Sequence, residues 1–242
     1  MRKMNIPLCH QKRNTMEAKS NNQKNVPQGI PEPTVRRMPQ YLNLIREISR
    51  NGEPNISAPV IGRILRIDPT QVVKDLAYTG INGKPRVGYV VDELLFALET
   101  FLGYHRQHEA FLVGAGFLGS ALIQYPGFRE AGVNIVAAFD TDPAKIGTEI
   151  AGIKVYNMNK FSDLVQRLHI PIGIITTPAE AAQSVAEQMV VWGIRAIWNF
   201  APVALRIPEN IILQDTHFYA NLAVIVNKLE QTEPQPKKGS KK

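Results

Sequence analysis

The chain has 242 residues, 44% of them apolar, and a formal charge of +7, which leaves room for two modest domains with cores of their own. Its single cysteine, Cys9, excludes an internal disulfide, and with no C-x-x-C pair neither a structural zinc nor a redox dithiol is expected. No apolar run is long enough to cross a bilayer, and the opening "MRKMNIPLCHQKRNT" has no apolar core of a signal peptide, so a cytoplasmic protein with no membrane or metal partner is expected.

The charge is unevenly spread. Residues 1–38 and 231–242 together carry +9, residues 39–91 carry +3 and residues 92–230 carry −5. Basic tails alone would serve solubility, but a positive compact segment beside them suits a polyanion. Residues 1–36 are polar, rich in Pro and Asn and without periodicity, and read as a disordered tail, as do residues 231–242.

From Pro39 the pattern turns helical, with Tyr41, Leu44, Ile45 and Ile48 on one face and a stop at Asn51-Gly52. A second helix follows the cap Ser57, with Val60, Ile61, Ile64 and Leu65 expected inward. A third opens at "DPTQ", where Asp68 is the cap and Pro69 the first helical residue. Val72 and Leu76 make its buried stripe, while Gln71, Lys74 and Tyr78 share another face. "INGKPRVGYVV" then reads as a hairpin turning at Asn82-Gly83. Three helices and a hairpin over residues 37–91 describe a winged helix, whose third helix would enter a DNA major groove; a small helical domain of another use would show the same pattern. Residues 92–108 read as a linking helix, with Leu94, Leu95, Leu98 and Leu102 on one side, and a hinge.

Over residues 109–215 strands and helices alternate, the signature of a parallel sheet with helices on both faces. Gly114-Ala115-Gly116-Phe117-Leu118-Gly119 is a G-x-G-x-x-G loop between a predicted strand and a predicted helix. The first glycine permits the tight turn, the second lets backbone approach a pyrophosphate, and the third lets helix and strand pack closely. Asp140 ends the next strand, where an acid accepts from a ribose 2′-hydroxyl and repels a 2′-phosphate, so NAD is expected rather than NADP. "TTPAEAAQ" opens a later helix with Thr177 as cap, Pro178 first and Glu180 third. Thr176, Thr177 and Pro178 lie where they could line the cofactor site, though a purely structural cap explains Thr177 as well. A dehydrogenase would need a proton donor or acceptor near the nicotinamide. His105 and His108 fall in the hinge, His169 precedes a strand, and His217 belongs to the last helix, so no catalytic residue is evident.

In its order of parts the chain resembles the Rex family of redox-sensing transcriptional repressors. "QVVKDLAYTG" looks like that family's recognition helix and "GKPRVGY" like its wing, while "YPGF", "FDTDPAKIG", "TTPAEAAQ" and "NFAPV" are similar to its signature stretches in the same sequence order, from about Arg37 to Leu229. The resemblance implies an α/β protein in which an N-terminal winged-helix domain precedes a Rossmann NAD(H)-binding domain and a C-terminal helix, residues 216–230, exchanged within a homodimer. It implies operator DNA as partner, with NADH causing release and NAD+ opposing. Gly114, Gly116 and Gly119, with Ala115, Phe117 and Leu118 between them, would hold the pyrophosphate and Asp140 the adenosine ribose. Tyr125 and Phe218 would lie near the nicotinamide, with Thr176, Thr177, Pro178 and Asn199 also at the cofactor. Gln71, Lys74, Tyr78 and the wing residues Lys84 and Arg86 would face DNA. The chain departs from the family where Val73 stands for a usual Arg, where Pro85-Arg86 stands for Arg-Gly in the wing, and where Asn43 and His217 replace a charged pair between helix one and the swapped helix. An NAD-dependent oxidoreductase, and an NADH-sensing adaptor without operator recognition, are the alternatives.

Overall fold

A computed structural model describes residues 29–216 and 218–232; Cys9, His217 and most of both tails lie outside the described residues. Two bodies follow one another along the chain, each with its own buried cluster.

The first contains α1 (Glu32–Arg50), β1 (Asn55–Ile56), α2 (Ala58–Leu65), α3 (Pro69–Ala77), β2 (Tyr89–Val90) and α4 (Val91–Leu102). Helix α1 starts at Glu32 rather than Pro39, so residues 32–36 are helix and not part of a disordered tail. Pro33 sits in its first turn, where a missing N–H is harmless, and Thr34 and Met38 are buried beneath it, which carries the helix on through Pro39. In α2 only Ala58, Ile61 and Gly62 are buried, while Val60 and Ile64, expected inward, are exposed. A two-turn helix covers one face, and its apolar residues were wide enough to suggest two. Asp68 caps α3 as expected, accepting from the N–H groups of Thr70 (2.8 Å) and Gln71 (3.3 Å). Helix α4 is not a linker. Its Val91, Leu94 and Leu98 are buried in the same cluster as Tyr41, Leu42 and Ile45 of α1.

β1 and β2 pair antiparallel, Asn55 with Val90 and Ile56 with Tyr89. The loop before β2 turns at Pro85-Arg86 rather than Asn82-Gly83: Lys84 and Gly88 exchange backbone bonds, and Val87 N–H closes onto the Lys84 carbonyl at 3.2 Å. Arg86 takes φ of 64° there, a place where turns of this proline-led pattern ordinarily put glycine. Gly83 serves close approach instead, since a Cβ on it would lie 3.3 Å from the Tyr89 ring.

The second body is a seven-stranded sheet of β3 (His108–Val113), β4 (Val133–Asp140), β5 (Glu149–Ile150), β6 (Ile153–Asn157), β7 (Ile172–Ile175), β8 (Ala196–Asn199) and β9 (Ile212–Asp215), in the order β5-β6-β4-β3-β7-β8-β9. All neighbours are parallel except the short edge strand β5. Its helices are α5 (Phe117–Gln124), the one-turn α6 (Gly127–Glu130), α7 (Phe161–Leu168) and α8 (Ala179–Val191). His108, read as hinge, is the first residue of β3. That strand is buried on both faces, with Phe111 and Val113 in one apolar cluster and Ala110 and Leu112 in the other, as a central parallel strand must be. Phe111, Phe139 and Phe161 pack ring to ring at centroid distances of 4.8 to 5.5 Å. The strand order reverses between β3 and β7, and the carboxyl ends of those strands open a crevice. Helix α9 (Phe218–Thr232) closes the described chain and buries none of its residues.

Candidate nucleotide cleft and reading helix

At the crevice β3 runs into the glycine loop. Gly114 has φ of 104°, and a Cβ there would strike the Thr176–Thr177 backbone at 2.8 Å; only glycine makes this turn comfortably. A Cβ on Gly119 would run into the Gly114 carbonyl oxygen, so the absence of a side chain lets α5 sit against the end of β3. Gly116 differs: a Cβ there would meet nothing within 4 Å. The space is open at the point where a pyrophosphate would approach the first turn of a helix.

A cleft of about 550 Å³ brings together Gly114, Gly116, Leu118, Asp140, Thr176, Thr177 and Pro178. It also holds Lys145, Met158, Val185, Phe200 and Pro202, which the sequence reading did not name. Asp140 is the most heavily bonded of these. Its Oδ2 accepts from the Ala115 N–H (2.9 Å) and the Lys145 ammonium (3.1 Å), and its Oδ1 from the Asp142 N–H (2.9 Å). Burial alone would push this carboxyl up, but the Asp142 N–H and Lys145 more than offset it and hold Asp140 below the usual carboxylate range. The carboxylate stays charged, with lone pairs remaining for a hydroxyl donor. Lys145, five residues beyond the acid, was legible only as part of "FDTDPAK".

The two threonines divide their work. Thr176 Oγ1 lies 2.8 Å from the Gly114 carbonyl and 3.1 Å from that of Val113, and so ties β7 to the glycine loop. Thr177 is not the cap of α8: Pro178 takes that place and no side chain caps the helix. The Thr177 hydroxyl is instead buried without a hydrogen-bond partner, and a buried hydroxyl in that state costs stability until something bonds to it. An orphaned hydroxyl, an ionised acid and open space over Gly116 in one cleft fit the phosphate and ribose parts of a dinucleotide.

Other residues fall elsewhere. Phe117 points fully into solvent, and Ala115, itself buried, contributes its N–H to Asp140. Asn199 is fully buried with its amide spent on the Val203 carbonyl (2.9 Å), Asp215 (2.8 Å) and the Ala201 N–H (2.9 Å); it shapes the turn carrying Phe200 and does not line the cleft. Tyr125 is exposed and lies in a separate crevice between α1 and α6, beside Asn43, Arg46 and Tyr104. Phe218 is half exposed in an adjoining cleft shared with Phe200 and Tyr219, its ring 6.2 Å from that of Phe200.

On the first body, the outward side of α3 is not the one expected. Gln71 is half-buried and donates to Asp75 (2.8 Å), and Tyr78 leans on the apolar cluster. The exposed stripe is Thr70, Val73, Lys74 and Ala77. Asp75 itself is fully buried and accepts from Thr34 (3.0 Å), both ends of the Arg37 guanidinium (2.6 and 2.8 Å), Tyr41 (2.7 Å) and Gln71. It rivets α3 to α1. Lys84 and Arg86 are exposed at the tip of the wing, and Arg63 and Arg66, not singled out by the sequence reading, are exposed along the approach to α3.

A winged helical head on a Rossmann-type body, with Lys74 outward on its third helix and a cleft at the glycine loop, defines a nucleotide-responsive DNA-binding protein as the class. Residues 29–77 match the family model described as "Putative DNA-binding protein N-terminus", and residues 105–203 match "CoA binding domain". The Redox-sensing transcriptional repressor Rex of Bacteroides thetaiotaomicron is 45% identical over 84% of this chain and 93% of its own length, and that of Treponema denticola 43% identical over 81% and 94%. The crystal structure of RSP in complex with beta-NAD+ and operator DNA superposes with a TM-score of 0.80 at 31% identity, covering 84% of this chain and 94% of that one; RSP with beta-NADH gives 0.76 at 31%, covering 84% and 95%. The chain belongs to the Rex family of redox-sensing transcriptional repressors. That family consists of regulators, which removes the reason to look for a catalytic base. Among the described residues no cluster of His, Cys, Asp and Glu could hold a metal, and no helix is long and apolar enough to cross a membrane.

Proposed function

We infer that this protein is a cytoplasmic redox-sensing repressor that binds operator DNA as a homodimer through α3 and the wing, and that lets go when NADH occupies the cleft. The observation that carries this reading is the likeness of head and body together, over 84% of the chain, to a repressor crystallised with NAD+ and operator DNA. The cleft supports it in detail: the α5 N-terminus and the open space over Gly116 suit the pyrophosphate, Asp140 the adenosine ribose, and Thr177 a further acceptor or donor of the nucleotide. The outward apolar side chains of α9, among them Leu222, Ile225 and Leu229 at 53 to 58% exposure, suit exchange of that helix between two subunits, because so much apolar surface is not stable in water uncovered.

Bound nucleotide supplies differential affinity for two arrangements of the dimer, and it shifts the balance by no more than that difference. The chain's own part is geometric. A dimer reads two half-sites only when its recognition helices stand about one DNA turn apart, and a rotation of the Rossmann bodies changes that spacing. The test is a gel shift on the promoter upstream of the protein's own operon with NADH and NAD+ titrated in turn. Release by NADH at concentrations where NAD+ has no effect is expected. Asp140→Ala should blunt that release while leaving DNA affinity intact; equal loss of both would overturn the assignment of Asp140.

A further inference from the structure

The outward stripe of α3 has an unusual chemistry for a surface meant to meet DNA. Residues 70, 73, 74 and 77 recur at helical spacing and are exposed, whereas 72, 75 and 76 are buried. Of the four, three carry methyl groups and no charge, and Lys74 is the single ion. Val73, at 49% exposure, is the largest apolar member. Gln71, whose amide would suit adenine, is withdrawn from this face because it is bonded to the buried Asp75 at 2.8 Å. The helix therefore presents little hydrogen-bonding capacity at its centre and a branched hydrocarbon instead.

The surroundings specify the occupant. Residues 39–91 carry +3; Arg63 and Arg66, on α2 and the turn that leads into α3, are exposed, as are Lys84 and Arg86 in the wing, with Lys84 3.9 Å from Glu93. Exposed cations on the elements before and after α3, with an apolar outward stripe on α3 itself, suit a polyanion whose groove floor offers hydrocarbon. In the DNA major groove the only such group is the C5-methyl of thymine. Resting on the DNA-binding role inferred above, we propose that Val73 is a specificity-determining residue that reads a thymine methyl in each operator half-site, with Lys74 beside it taking a guanine edge or a phosphate. An Arg at this position would demand guanine; Val73 replaces that demand with an apolar contact.

The experiment uses the full chain. Duplexes are selected from a random pool with the wild-type protein, and each thymine of the enriched half-site is then replaced in turn by deoxyuridine, which deletes only the methyl. Binding is followed by fluorescence anisotropy. One thymine is expected whose replacement weakens wild-type binding roughly fourfold or more, the equivalent of losing one buried methyl group. Val73→Ala, at an exposed position that leaves the fold intact, should bind the thymine duplex more weakly and lose the sensitivity to uracil at that position alone. Selection with Val73→Arg should move the preference there to guanine. Wild-type binding indifferent to uracil at every position, or a Val73→Ala profile identical to wild type, would overturn the assignment while leaving DNA binding standing. Enrichment of no duplex at all would instead overturn the DNA-binding reading and take this proposal with it.

Discussion

Replacing Asp75 by Asn tests whether the hub between α1 and α3 holds the reading helix in place. The carboxylate has no exposure and accepts from four side chains, Arg37 among them as a two-pronged partner. An amide keeps one acceptor oxygen but turns an NH2 toward donors, so bonds are lost on at least one side. Breaking a buried ion pair by removing one partner costs about 3 to 5 kcal/mol, and since Arg37 is partly exposed and can rehydrate, the lower end applies, about 3 kcal/mol. For a chain of this length unfolding as one unit, that corresponds to a fall in Tm of roughly 6 to 12 °C, read by calorimetry or circular dichroism. Acid should bring the two proteins closer together in stability. Burial alone would push Asp75 up, but Arg37, Tyr41, Gln71 and Thr34 together hold it below its ordinary value. Its stabilising contribution is therefore complete above the unfolded-state value of about 4 and is lost as pH falls through the lower folded value. Wild type should lose stability below about pH 4 more steeply than Asp75→Asn. A Tm change under about 2 °C, or parallel acid profiles, would refute the reasoning.

Three further outcomes follow from the cleft and the wing. Gly116→Ala should leave Tm unchanged, because its Cβ enters open space, yet weaken NADH binding more than tenfold, about 1.4 kcal/mol; Gly119→Ala, colliding with the Gly114 carbonyl, should lose both stability and binding. Paired thermal melts and nucleotide titrations distinguish them. Thr177→Val removes a buried hydroxyl that has no partner, so nucleotide-free protein should gain about 1 kcal/mol while affinity for NADH falls, by calorimetric titration. Arg86→Gly relieves a left-handed arginine and should raise stability by about 1 kcal/mol, with weaker DNA binding as a cost if the guanidinium meets phosphate.

The glycine loop, Asp140 and the alternating sheet were legible because their chemistry is local: a turn, a close approach and an acid at a strand end are each set by a few consecutive residues. What escaped depended on neighbours distant in sequence. Pro39 read as a helix start, yet tertiary burial of Thr34 and Met38 carries α1 past it. Asn82-Gly83 is a strong turn signal, but the Tyr89 ring occupies the space beside Gly83 and the chain turns at Pro85 instead. Gln71 shares a helical face with Lys74 on spacing alone; only the buried Asp75, held by residues of α1, draws it inward. Tyr125 and Phe218 were placed by resemblance near the nicotinamide, and within one chain both stand outside the cleft.

Helix α9 is fifteen residues long and no residue of it is buried. Isolated helices of that length are marginal in water; on the dimer reading proposed above, a second subunit supplies its order, and protein concentration then becomes a hidden variable in every measurement on this molecule. Helical signal, melting temperature and operator affinity should all drift downward together on dilution, and two laboratories working at nanomolar and micromolar protein would be describing different species under the same label.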